Sequence, residues 1–221
     1  LDEAMARLKR AGGTIVTTNE EPVENNGNRA VFATGPDGEF IEMIQPPQVP
    51  AASGNGAMVI GSPRIAFVVA DAEKAGQFYR DHLRLNVRMP GAANDDPRFA
   101  GLPGLPGSSV RSATVTVPGT TLSWQFYEYG KVERTPHVRN IPDPGAAAAA
   151  IEVRDIAAAL EAIKGGGGSV LSQGGRAIEG RNLAFARDPS GVLLEVIQIA
   201  MTPGTASGVV LSGIDADADP D

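Results

Sequence analysis

The sequence contains no cysteine, which excludes disulfide bonds, thiolate nucleophiles and cysteine-ligated zinc together. It also has no run of about 18 consecutive apolar residues, so no membrane span is predicted. Lysine and arginine number 19 against 26 aspartate and glutamate, and they form no cluster. The resulting formal charge of −7 argues against a nucleic-acid partner. These absences leave the compartment open, and a soluble cytoplasmic or periplasmic protein fits equally well.

The remaining composition is that of a globular protein, with 42% hydrophobic and 20% charged residues in 221. This length suits one large domain or two small ones. The chain starts within a predicted helix and without methionine, so we expect a processed or truncated N-terminus. The acidic end, residues 201–221, lacks the glycine and final glutamate of a calcium loop and is predicted to be a flexible tail.

An internal repeat organises the chain. Segment 1–16 matches segment 155–171, and each predicts an amphipathic helix that ends at glycine and leads into a strand. Segment 28–45 matches segment 182–198, and each predicts two strands joined by a Pro-x-Gly turn. Both copies therefore have the order helix, strand, strand, strand.

A more divergent third unit, residues 62–130, lies between the copies. It adds a leading strand that ends at Asp71, a suitable N-cap for the helix predicted over 72–85. The last unit, 146–200, has the same leading strand, whereas residues 1–47 lack it. The sequence therefore predicts an α+β fold of tandem βαβββ modules, in which paired modules form a curved mixed sheet around a cleft.

The predicted domain division follows from this pattern. Residues 1–47 are the C-terminal part of an N-terminal module, residues 48–61 are a linker, and residues 62–200 form a complete domain of two modules. Because a module buries only one sheet face against its helix, residues 1–47 need a partner. That partner is an N-terminal unit outside this sequence, the other pair of modules, or a second chain in a homodimer.

The sequence resembles the vicinal-oxygen-chelate superfamily, which contains glyoxalases, bleomycin resistance proteins and extradiol dioxygenases. The resemblance lies in the module openings RIAFVVADAEKAGQFYRDHLRL (64–85) and AIEVRDIAAALEAIKGGGGSV (150–170). It also lies in the closing hairpins PDGEFIEMIQ (36–45) and DPSGVLLEVIQ (188–198), which are similar to the family's DPDGN-x-IEL strand. The resemblance implies paired modules with a metal ion between them.

In that family each module provides one metal ligand from its first strand, usually histidine, and one from its last strand, usually glutamate. Glu42 and Glu195 match the last-strand position, and Gln125 matches it in the middle module. The first-strand positions hold Arg64 and Ala148, which cannot bind a metal ion because neither side chain has a free lone pair. The resemblance therefore implies no metal cofactor in the complete domain, and allows a divalent metal where Glu42 meets ligands from outside this sequence.

We hypothesise that the guanidinium of Arg64 takes the place of the metal and pairs with Glu195, with Gln125 nearby. Trp124 and Phe99 are further candidates for the ligand-binding cleft, Phe99 as part of a long Pro/Gly-rich loop that could cover it. The alternatives stay open: Arg64 points outward, Glu195 bonds to a neighbouring strand, Trp124 shares the core face with Phe126, and the loop is only a surface loop.

Two functions follow from the resemblance. The first is a glyoxalase- or bleomycin-resistance-like protein whose complete domain binds a small organic molecule without metal. The second is a metal-dependent dioxygenase, lyase or epimerase whose metal lies in the incomplete N-terminal domain. A purely structural partner-binding module is a third, since a fold does not fix a function. Neither catalytic residues nor a substrate are predicted.

Overall fold

The structure is a computed structural model, and it describes residues 1–25, 27–36, 38–48, 61, 64–135, 140–143, 146, 148–172, 176–178 and 181–199. All of the predicted tail and nearly all of the predicted linker lie outside the described residues. Within the described part of the chain, no helix has the length and apolar character needed to cross a membrane.

The described elements follow the predicted module order. The helices are α1 Asp2–Arg10, α2 Ala72–Asp81, α3 Pro97–Gly101 and α4 Ile156–Gly165. The strands are β1 Thr14–Ile15, β2 Val23–Asn25, β3 Asn28–Thr34, β4 Phe40–Gln45, β5 Arg64–Val68, β6 Val87–Arg88, β7 Ser109–Thr116, β8 Ser123–Gly130, β9 Ala148–Val153, β10 Ser169–Val170, β11 Arg176–Ile178, β12 Arg181–Arg187 and β13 Leu193–Gln198. The α+β fold class predicted from the sequence is confirmed.

The module helices start where their caps predict. The Asp71 carboxylate accepts the backbone N–H groups of Glu73 and Lys74, each at 3.0 Å, and so satisfies two donors at the start of α2. The Asp155 carboxylate does the same for the Ala158 N–H at 3.1 Å. Helix α2 ends at Asp81, four residues before the predicted end at 85.

Three sheets are built on the same plan. The order is β5-β8-β7-β6 in the middle module and β10-β12-β13-β9 in the last, with β11 beside β12. In both, the first strand of the module lies parallel to the last one, β5 on β8 and β9 on β13. In the first module β1 and β2 pair with one edge of β3, and β4 pairs with the other.

The described chain forms two compact units that do not follow the module boundaries. Unit 1 contains Leu1–Ser62, Gly91–Arg111 and Glu128–Pro136, and unit 2 contains Pro63–Pro90, Ser112–Tyr127 and His137–Asp221. Part of the middle module therefore belongs with the first. The domain division predicted from the sequence stays a prediction.

In unit 1 a buried threonine joins the first module to the long Pro/Gly-rich loop. The Thr17 hydroxyl accepts the Phe32 N–H and donates to the Leu102 carbonyl, both at 2.7 Å. Beyond Leu102, Gly104 has φ +72°, and a Cβ added there would lie 2.4 Å from the Val16 carbonyl oxygen. The loop carrying α3 thus packs closely on the start of the first module.

In unit 2 the middle and last modules share one hydrophobic core. It contains residues of α2 and α4 together with the inward faces of both sheets: Phe78, Tyr79, Trp124, Phe126, Ile151, Leu160, Ile163, Ala184, Leu194 and Val196. A Cβ added at Gly166, after α4, would lie 2.7 Å from the Phe78 ring, so the two helix-bearing faces approach closely. Trp124 packs edge-to-face on Tyr79, with ring centroids 5.8 Å apart.

A buried hydrogen bond connects α2 to the turn before β13. The Tyr79 hydroxyl donates to the Asp188 carboxylate at 2.9 Å, and both side chains are almost inaccessible, at 0% and 3% exposure. The other carboxylate oxygen accepts the N–H groups of Ser190 and Val192 at 2.9 and 2.8 Å. Burial raises the pKa of Asp188, and it raises that of Tyr79 well above its usual value, since Tyr79 also faces the Asp188 charge.

Gly104→Ala is expected to lower the free energy of unfolding by about 2–4 kcal/mol, because the new methyl group meets both an unfavourable φ and the Val16 carbonyl. Gly107→Ala is the matched control, since Gly107 has a similar φ of +82° with no atom within 4 Å of an added Cβ. Urea unfolding of both variants measures the difference. Equal losses would show that the loop does not pack on the first module.

Asp188→Asn is expected to remove a pH-dependent loss of stability. Burial raises the folded-state pKa of Asp188. The contribution of Asp188 to the free energy of unfolding is therefore complete below the usual aspartate pKa, and it is lost as the pH rises through the raised pKa. Urea unfolding between about pH 4 and pH 8 should therefore show the native protein losing stability relative to the variant as the pH rises.

The control for this experiment is Asp96→Asn. Arg98 holds the pKa of Asp96 at about 2, so the contribution of Asp96 is lost as the pH falls, which is the opposite direction. A stability difference between Asp188→Asn and the native protein that stays constant with pH would contradict the assignment.

Candidate functional site

The candidate site is built on the face of the last sheet that is turned away from the core. Leu194 and Val196 are fully buried in that core, so the alternation of β13 directs Glu195 to the opposite face. Glu195 is paired in register with Phe185 of β12 on one side and with Ala150 of β9 on the other. We call this surface the last-module face; it contains Ala150, Glu152, Leu183, Phe185, Glu195 and Ile197.

The Glu195 carboxylate on this face has no partner in the part of the protein that the structure describes. It is half-buried, and among the described residues it makes neither a hydrogen bond nor an ion pair. The two residues directly opposite Glu195 in the register are Phe185 and Ala150, and neither side chain can donate a hydrogen bond to it. A half-buried acceptor without a partner costs stability unless water or a ligand binds it.

The first module repeats this register. Phe32 lies opposite Glu42 just as Phe185 lies opposite Glu195. In both copies the N–H of the phenylalanine donates to a hydroxyl, Thr17 in the first module and Ser172 in the last, at 2.7 Å each. The phenylalanine position is thus fixed by the same backbone arrangement twice.

The glutamine that ends both repeats has a structural role. The Gln198 side-chain oxygen accepts the N–H of Ile156, the first residue of α4, at 3.1 Å. The Gln45 side-chain oxygen accepts the amino group of Leu1, which precedes α1, also at 3.1 Å. Each glutamine binds a donor at the start of the helix of its own module, so the repeated glutamine is explained by folding.

The predicted site residues of the middle module lie on its edge strand β5 and on the adjacent strand β8. Arg64 starts β5, opposite Ser123, and Gln125 of β8 lies opposite Ala66. Gln125 is directed away from the core because its neighbours Trp124 and Phe126 are buried there. The Tyr127 hydroxyl, on the same face, donates a short hydrogen bond to the side-chain oxygen of Gln125.

The hypothesised pair of Arg64 and Glu195 stays a prediction. Arg64 takes part in an interaction within the protein. The middle and last modules meet through their helix-bearing faces, and Gln125 and Glu195 lie on the faces turned away from that core. A cleft shared by Arg64, Gln125 and Glu195 therefore stays a prediction.

Two further candidates occupy other places. Trp124 is 3% exposed and belongs to the core, the alternative that the sequence left open. Phe99 lies in α3 within unit 1, where α3 packs on β2. Their roles as ligand contacts are not supported by these positions and stay predictions.

Comparison with known proteins shows the family. The model of the glyoxalase/bleomycin resistance protein/dioxygenase superfamily matches residues 61–196, which is more than half of the chain. The chain belongs to this superfamily. The resemblance seen in the sequence is thereby confirmed. A search of curated proteins gave no match.

Solved structures of the glyoxalase superfamily share the fold. A glyoxalase family protein from Bacillus cereus has 14% identity and a TM-score of 0.59, over 66% of this chain and 98% of that one. Glyoxalase I from Zea mays has 22% identity and a TM-score of 0.54, over 86% of this chain and 60% of that one. A mutant of the maize enzyme has 20% identity and a TM-score of 0.59, over 89% of this chain and 64% of that one. The chain thus spans less than two thirds of maize glyoxalase I, and these identities support the fold alone.

The donor atoms of the two complete modules do not fit the metal ion found in many members of this superfamily. The first strands present Arg64 and Ala148, and the last strands present Gln125 and Glu195. Only two of these four side chains could bind a metal, whereas catalytic zinc or iron sites use three protein ligands. Over the described ranges, no group of three or more His, Cys, Asp or Glu side chains could hold a metal ion.

Sequence reasoning missed the residues that surround Glu195. The repeat predicts Phe185 only as part of a strand, although FARDPSGVLLE contains the signal: a two-strand hairpin fixes which residue lies opposite Glu195. Tyr127 was also overlooked, although it follows Gln125 by two residues and therefore shares its face.

Glu195→Met is expected to raise the free energy of unfolding by roughly 1 kcal/mol, because it replaces an unpaired half-buried carboxylate with a side chain that suits an apolar face. Glu161→Met on the exposed surface of α4 is the control, where loss of the ion pair with Lys164 should leave stability nearly unchanged. Thermal unfolding measures both. A marked loss of stability in Glu195→Met would show that the carboxylate serves the fold.

Proposed function

We propose that this protein of the glyoxalase superfamily binds a small organic molecule at the open sheet faces of its complete modules, without a bound metal. The observation that carries the proposal is the Glu195 carboxylate, a half-buried acceptor on a largely apolar face that has no partner among the residues the structure describes. A ligand site of this kind combines apolar contact area with a few polar groups that orient the molecule. Gln125, oriented by Tyr127, offers the matching polar group in the middle module.

The proposal includes no metal because of the side chains at the positions where the family has its metal ligands. Ala148 has no donor atom and Arg64 remains protonated, so neither first strand supplies the ligand that the family uses there. Arg64, Gln125 and Glu195 are therefore the proposed ligand contacts.

A metal-dependent enzyme of the dioxygenase, lyase or epimerase type is the second candidate, and one observation favours it. Glu42 occupies the register of Glu195 in the first module, opposite Phe32 instead of Phe185. We propose that residues 1–47 are the C-terminal part of a module whose first strand lies outside this sequence. Such a module could place further ligands beside Glu42, and a divalent metal would then be its cofactor.

Metal analysis separates the two candidates. After purification and dialysis against zinc, iron and manganese salts, the native chain is expected to retain less than one equivalent of any of them, because Gln125 and Glu195 alone hold a metal weakly. Plasma mass spectrometry measures the metal content. A stoichiometric ion lost in Glu195→Gln would overturn the metal-free site, and one lost only in Glu42→Gln would support the enzyme.

A further inference from the structure

We propose that the ligand of the last-module face is an organic cation with an apolar body, such as an aryl-alkyl ammonium ion. This inference rests on the proposed function, because it specifies the ligand of the same site. It starts from the charges that the face presents. Glu195 and Glu152 both lie on it, at neighbouring positions of β13 and β9, where Glu152 is opposite Ile197.

One cationic side chain on this sheet face lies close to Glu195 in the strand register. Arg187 lies opposite Leu193, two residue pairs along from the pair of Phe185 and Glu195. Its guanidinium donates to the Gly191 carbonyl at 3.4 Å, within the turn that joins β12 to β13. Glu195 itself makes no hydrogen bond or ion pair within the described part of the chain, so the carboxylate is available to a cation from solution.

The surroundings of Glu195 favour a cation that carries an apolar group. The Phe185 ring on one side offers an aromatic face, which attracts ammonium and guanidinium groups. The small and exposed Ala150 on the other side leaves room above the carboxylate. Leu183 and Ile197 continue the half-buried apolar surface along the same two strands, so they can contact the body of the ligand.

Other charge classes fit less well. A neutral ligand would displace water from the Glu195 carboxylate without supplying an opposite charge. The free energy of hydration that the carboxylate loses would then not be replaced. An anion would add repulsion from Glu195 and Glu152. A cation replaces the lost hydration with a charge-assisted hydrogen bond, which is stronger than a neutral one. The face thus selects by charge as well as by apolar area.

The test uses three probes of similar size and different charge: 2-phenylethylammonium, 2-phenylethanol and 3-phenylpropanoate. Each is titrated into the native ¹⁵N-labelled chain while the backbone amide shifts are followed. The ammonium ion is expected to shift the amides of residues 183–187 and 193–197 and to bind at least about tenfold more tightly than the alcohol, in keeping with one charge-assisted hydrogen bond. The carboxylate probe should bind most weakly.

Two variants and a control test the assignment. Glu195→Gln keeps the shape of the side chain and should weaken ammonium binding about tenfold while changing alcohol binding little. Phe185→Leu keeps the apolar character and should weaken ammonium binding severalfold, because the aromatic face is removed. Glu161→Gln removes the same charge from the exposed side of α4 and should change nothing.

The outcomes distinguish this inference from the proposed function. If the alcohol or the carboxylate shifts the same amides as strongly as the ammonium ion, the face binds small molecules and the charge preference is wrong. The same holds if Glu195→Gln leaves ammonium binding unchanged. If none of the three probes shifts these amides at any concentration up to its solubility limit, the proposed binding site itself is wrong, and the charge preference with it.

Discussion

The alternation of side chains along β13 is the constraint on which the other features of the site depend. Leu194 and Val196 must face the core that α4 covers, and this requirement directs Glu195 to the opposite face without any partner having to attract it. A register shift of one residue would bury the carboxylate and expose both aliphatic side chains. The position of the charge is therefore held by hydrophobic burial, which is worth far more than one exposed ion pair.

The internal repeat separates residues kept for folding from residues available for function. Gln45 and Gln198 each satisfy a donor at the start of a module helix, and Thr17 and Ser172 each accept the same phenylalanine N–H. Each of these four side chains accepts a hydrogen bond within its own module. Glu195, in the same strand as Gln198, makes no such bond within the described ranges, so the contacts seen there do not account for it.

Local signals in the sequence predicted the elements well, because each depends on contacts within one module. Asp71 and Asp155 cap their helices as predicted, and the closing hairpins form in the predicted order. The hypothesised pair of Arg64 and Glu195 depends instead on which faces of two modules meet, and no signal within one module specifies that. That choice is made by Tyr79, Trp124 and Leu194, whose burial in one shared core is a tertiary property.

The buried hydrogen bond between Tyr79 and Asp188 connects this shared core to the candidate site. Asp188 orders the turn that leads into β13, because one of its oxygens accepts two backbone N–H groups of that turn while the other is bound by Tyr79 of α2. A charged group so deeply buried is stabilised only while both sets of donors are in place. The middle module thereby helps to fix the start of β13, and with it the register that sets Glu195 beside Phe185. Packing between modules and the geometry of the site are in this way coupled through a single carboxylate.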